Sequence, residues 1–114
     1  MWYKTYNNMW YITLIVCMNV IYYETNTGEK PIYDFIEDQD KKMKKKIFLV
    51  IHLLEEYGTE IDRKYSKYLD DGIFELRISQ SSNITRILYF FIEGDTAVLT
   101  NGFVKKTMLT PRKK

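Results

Sequence analysis

With 114 residues, 46% hydrophobic and 16% aromatic, the chain holds enough apolar material for one small domain and falls outside the disordered class. A formal net charge of +2 is too small to imply a polyanionic partner by itself. A single cysteine, Cys17, rules out an intramolecular disulfide, and His52, without any C-x-x-C or H-E-x-x-H spacing, offers no metal-ligand pattern.

The first apolar run is "MWYITLIVCMNVIYY" at 9–23, preceded by Lys4. It is shorter than the roughly 20 residues that span a bilayer, is interrupted by Thr13 and Asn19, and lacks a small-residue cleavage site. Its Ile, Val, Tyr and Trp content favours extended structure, and "NVIYYET" (19–25) is predicted as a strand. Residues 1–18 are expected to be an N-terminal extension, with Met18 a natural start, and 19–114 a single domain. A short membrane anchor at 9–23 is the competing reading of that run.

"TNTGEKP" (25–31) is turn chemistry, because Asn and Gly tolerate positive φ and Pro31 suits a first helical turn. "PIYDFIEDQD" then predicts a short helix with Ile32, Phe35 and Ile36 on one side. Asp40 is placed to cap a longer helix over 41–58, whose Met43, Ile47, Val50, Ile51 and Leu54 form a core-facing stripe. Gly58 is placed to stop it. Within a strong helical pattern, His52 reads as a packed or half-exposed side chain. Lysines in a first helical turn oppose the macrodipole, so Lys41, Lys42, Lys45 and Lys46 are not there to stabilise the helix. They form either a solvated face or an RNA-binding patch that meets phosphate.

"TEIDRKYSKYLDDG" (59–72) reads as a polar connector. Three strands are predicted after it: "IFELRIS" (73–79), "ITRILYFFI" (84–92) and "TAVLTNGFV" (96–104), joined by the hairpin loops "QSSN" and "EGD". The expected fold class is α+β: strand, helix, helix and a three-stranded antiparallel meander, with the helices packed on one face of the sheet. From 73 to 114 there are seven cations against three anions, whereas residues 1–72 hold ten against twelve. That split predicts a basic surface on the C-terminal half, able to meet a polyanion or simply to solvate a sheet edge.

No G-x-S-x-G, P-loop, or nucleophilic Cys with a His partner is present, and Glu75 is the only acid on the predicted polar sheet face. That face offers Arg77, Arg86 and Lys106, with Lys105 and Tyr89 near by. Arg86 interrupts an otherwise apolar strand, where a cation is costly unless it meets a partner or solvent. It is either paired with Glu75 or a phosphate-binding arginine, whose planar fork matches phosphate oxygens. Such a cluster suits RNA cleavage in which the ribose 2′-hydroxyl attacks the adjacent phosphate, since the protein then supplies positioning and charge.

The string "GIFELRIS…ITRILYFFIEGDTAVLTNGFVKKTMLTP", with "IYYETNTGEKPIYDFI" before it, resembles the RelE/HigB-type toxins of bacterial type II toxin–antitoxin systems, in particular their phage-derived branch. The resemblance covers about residues 19–111. It implies a RelE-like fold and a cytoplasmic, ribosome-dependent mRNA endoribonuclease that uses no cofactor or metal and is held inactive by a helix-turn-helix antitoxin. By motif position, Arg77 and Arg86 would contact phosphate or the transition state. Lys105 and Lys106 would bind mRNA or assist proton transfer, and Tyr89 would be auxiliary. The chain departs from the pattern at Asn101, where many relatives carry histidine, and at Lys114, where relatives continue into a C-terminal helix. The alternative is a non-catalytic or truncated module that binds an antitoxin or RNA.

Overall fold

The computed structural model describes residues 18–106. All but Met18 of the extension expected at 1–18, and the threonine–proline end of the C-terminal motif, lie outside the described residues. In chain order the elements are β1 (Asn19–Tyr22), α1 (Pro31–Glu37), α2 (Lys41–Tyr57), a 3₁₀ turn at Gly58–Glu60, β2 (Ser66–Asp70), β3 (Ile73–Gln80), β4 (Asn83–Ile92) and β5 (Thr96–Lys106).

Local chemistry sets the helix limits. Pro31 opens α1, its fixed φ suited to a position whose N–H has no helical acceptor. The Asp40 carboxylate accepts the Met43 N–H at 2.8 Å and caps α2, and Gly58 (φ +55°) ends it. The predicted stripe of Met43, Ile47, Val50, Ile51 and Leu54 is buried. These side chains meet Ile32 and Ile36 of α1 and Leu76, Ile78, Ile87, Ala97 and Leu99 of the sheet in one core. Each fully buried Ile, Leu, Val or Met side chain among them contributes about 1.5–3 kcal/mol of transfer free energy.

The sheet corrects the expected fold class. A meander of three antiparallel strands joined to one leading strand was predicted. The molecule instead has a five-stranded mixed sheet in the order β1-β5-β4-β3-β2, with β1 parallel to β5 and every other pair antiparallel. The added strand is β2, inside the stretch read as a connector. Only Ser66 of its five residues is buried, so this edge strand carries no apolar alternation to betray it. The "DG" at Asp71–Gly72 is the signal for it: both residues take positive φ (52° and 79°), the geometry of a tight hairpin turn between β2 and β3.

Met18, the first of the described residues, belongs to the core. Met18, assigned to the extension, is 7% exposed, and its backbone N–H donates to the Glu55 carbonyl at 2.7 Å. The core therefore includes a residue placed outside the domain.

A bulge decides which side chains of β5 share a face. The β4–β5 register steps from Leu88↔Asn101 to Tyr89↔Leu99, leaving Thr100 as the extra residue. Before it, Ala97 and Leu99 face the helices. After it, Gly102 does so, and a Cβ there would sit 2.7 Å from the Phe35 ring of α1. Glycine is what lets α1 lie against β5. Phe103 and Lys105 are thereby turned to the opposite face, together with Val98.

Candidate nucleic-acid interface

On the face away from the helices, the ladders build rows across the strands. Arg77 of β3 stands directly opposite Arg86 of β4, which stands opposite Phe103 of β5. One row along, Ser79, Ile84 and Lys105 are aligned; on the other side lie Lys67, Glu75, Leu88 and Asn101. Directly opposed residues have Cβ atoms about 4.5–5.5 Å apart, so each row forms a continuous strip of side chains. Among the residues of these three rows, Arg77, Arg86, Lys105 and Lys67 share this face with one described carboxylate, Glu75.

Glu75 holds the two arginines. Its Oε1 lies 3.8 Å from Arg86 Nη1 and 3.9 Å from Arg77 Nε. Both distances are ion contacts too long for hydrogen bonds. Arg86 is only 8% exposed, and its Nε–H is buried without a hydrogen-bond partner among the described residues. A desolvated guanidinium with an unmatched donor and one carboxylate shared with a second arginine is undercompensated. Arg77, with 38% of its side chain exposed, is the reachable member of the pair.

The remaining predicted residues are distributed differently. Tyr89 does not join the arginines. It faces the helices, is 1% exposed, and shares a 2.6 Å hydrogen bond with the Ser66 hydroxyl. Burial pushes its pKa above the ordinary tyrosine value, with the Ser66 bond a smaller pull in the opposite direction. Its ring stacks on Phe74 and meets Phe91 edge-on, at centroid distances of 5.4 and 5.5 Å. The physical reason is strand parity, because Arg86 and Tyr89 are three residues apart on β4 and so project from opposite faces. Lys105 is exposed and shares the arginine face, while Lys106 occupies the next ladder position, opposite Asn83. Lys41, Lys42, Lys45 and Lys46 belong to α2, on the other side of the sheet from Arg77 and Arg86. Sequence reasoning missed Lys67, because β2 was not read as a strand, and Phe103, because the bulge reverses its parity.

Comparison with protein families matches residues 34–114 to the family described as "Phage derived protein Gp49-like (DUF891)". The chain belongs to this family. No curated protein matches it. The Gp49-like match runs from the middle of α1 to residue 114 and therefore includes Lys67, Glu75, Arg77, Arg86, Phe103 and Lys105. In this Gp49-like protein no helix of the described residues is long and apolar enough to cross a membrane. The anchor considered at 9–23 lies mostly outside those residues.

A cleft of about 480 Å³ opens at the β2 edge of the sheet, bordered by Arg63, Lys67, Arg77, Phe74, Tyr89 and Phe91 among others. It adjoins the arginine face through Lys67 and Arg77. Chemically, the arrangement is a cationic strip with one buried and one accessible guanidinium, suited to a singly or doubly charged oxyanion.

Proposed function

We propose that this Gp49-like protein is the toxin of a type II toxin–antitoxin pair and cleaves ribosome-bound mRNA. The resemblance to RelE/HigB-type toxins and the Gp49-like membership support the class. The observation that carries the reading is Arg77 directly opposite Arg86, with Glu75 between them, on a face that also presents Lys67 and Lys105.

In the proposed reaction the ribose 2′-hydroxyl attacks the adjacent phosphorus. The P–O5′ bond breaks, leaving a 2′,3′-cyclic phosphate on one product and a 5′-hydroxyl on the other. The 2′ proton leaves and the 5′ oxygen gains one, so the reaction consumes no water. Arg77 holds the scissile phosphate from the accessible side, and Arg86 faces the charge that builds on the nonbridging oxygens. Removing one such preorganised donor typically costs about 10²–10³ in rate. Lys67 and Lys105 hold flanking phosphates. A helix-turn-helix antitoxin is the proposed partner that keeps the protein inactive.

The burial of Arg86 against Glu75 favours a second reading, a module that binds RNA or an antitoxin without cleaving. Induced expression separates the two. The toxin reading expects growth arrest and cut mRNA, both relieved by the antitoxin and both lost in Arg77→Ala. Arrest that persists unchanged in Arg77→Ala and Arg86→Ala overturns the site assignment.

A further inference from the structure

Phe103 is an aromatic ring left half-exposed. It is 43% exposed, on the face away from the helices, immediately after the glycine that Phe35 packs against. Leaving a phenylalanine in solvent forgoes much of the transfer free energy that core aromatics such as Tyr89 and Phe74 recover. Its place in the ladder is particular. Phe103 stands directly opposite Arg86 in the row that begins with Arg77, two residues along β5 from Lys105. A flat apolar ring thus sits at one end of a strip whose other members are cations. One of those cations, Arg86, carries a buried N–H with no partner among the described residues.

We propose that Phe103 is the base-stacking platform of this site, holding one nucleobase of single-stranded RNA while the accessible Arg77, backed by the buried Arg86, holds a nearby phosphate. The inference rests on the RNA reading above and adds a residue to it. Neighbouring phosphates in a single strand are separated by a sugar that carries the base to one side. A protein that grips the phosphate and offers an aromatic face beside it therefore fixes both. Because every base has a π-face, the platform accepts all four and ranks them by stacking area, purines above pyrimidines. Phe103 touches the substrate without taking part in proton or phosphoryl movement, so it sets affinity and register.

The test is binding of a short 2′-O-methyl oligoribonucleotide, which cannot be cleaved by 2′-hydroxyl attack, and of an abasic strand of the same length. Phe103→Ala is expected to weaken the base-bearing strand by about tenfold or more and to leave the abasic strand unchanged. Phe103→Trp restores binding, and the melting temperature of each variant shows that the fold is kept. If Phe103→Ala binds the base-bearing strand as the parent does while Arg77→Ala does not, the platform is wrong and the RNA reading stands. If neither substitution changes binding, or the parent binds neither strand with or without ribosomes, the RNA reading itself falls.

Discussion

The two faces of the sheet are built from the same strands to opposite ends. Along β4, Thr85, Ile87 and Tyr89 turn to the helices and are closed from solvent. The residue between the first two, Arg86, turns the other way into a row of cations and one exposed aromatic ring. The helix side is a filled core whose one deep tyrosine has its hydroxyl satisfied by Ser66. Among the described residues each side keeps one unmatched buried group, the Thr85 hydroxyl toward the helices and the Arg86 Nε–H on the other face, but only the second is a charge, and it shares one carboxylate with another arginine. Polar content alone therefore does not distinguish the two faces. Tyr89 and Ser66 are polar yet structural, because each completes the other's hydrogen bonding, whereas Arg86 is left incomplete.

The sharpest way to break this contrast is on the helix side. Leu54→Ala empties a fully buried position and should cost about 2–5 kcal/mol in denaturant unfolding. If it costs less than 1 kcal/mol, the helix-side core is not what holds the sheet. Gly102→Ala forces a methyl against the Phe35 ring and should cost about 1–3 kcal/mol, much of it recovered in a Phe35→Ala background. Additive losses in that pair would remove the account given of α1 docking on β5.

Tyr89→Phe separates the faces most directly. Losing the Ser66 partner should cost about 1–2 kcal/mol of stability and leave RNA cleavage at the parent rate. The pH dependence has a definite sign. Burial raises the Tyr89 pKa in the folded state, so the folded protein keeps this proton longer than the unfolded chain does. Its contribution is present in full below the ordinary tyrosine pKa and is lost as pH rises through the folded value. Tyr22, also raised by burial and by nearby Glu55, acts in the same direction. Alkaline unfolding monitored by circular dichroism should therefore be shallower in Tyr89→Phe than in the parent. The smallest effect expected is a gain: the buried Thr85 hydroxyl has no partner among the described residues, and Thr85→Val should stabilise by about 1 kcal/mol.

The helices were legible because caps and period are local. Asp40, Gly58 and the stripe from Met43 to Leu54 lie where sequence periodicity puts them. What escaped was set by long-range pairing. β2 has four exposed residues in five, so pairing with β3 makes it a strand and its side chains gave no sign of it. The bulge at Thr100 moves Phe103 to the face of Arg86, a parity change that counting by twos along "TAVLTNGFVKK" misses. Arg77 and Arg86 were singled out correctly as neighbours in space, since the hairpin between β3 and β4 has regular pairing. Tyr89 was grouped with them although three residues of strand separate it from Arg86, and odd spacings change faces.

The central claim is that the cationic row, and not the buried tyrosine, acts on RNA. Primer extension on a translated mRNA, with purified ribosomes and equal amounts of folded parent, Arg77→Ala and Tyr89→Phe, measures it directly. The account predicts cuts with the parent and with Tyr89→Phe, and at least about a 100-fold slower reaction with Arg77→Ala. Equal cutting by parent and Arg77→Ala, or loss of cutting in a folded Tyr89→Phe, would contradict it.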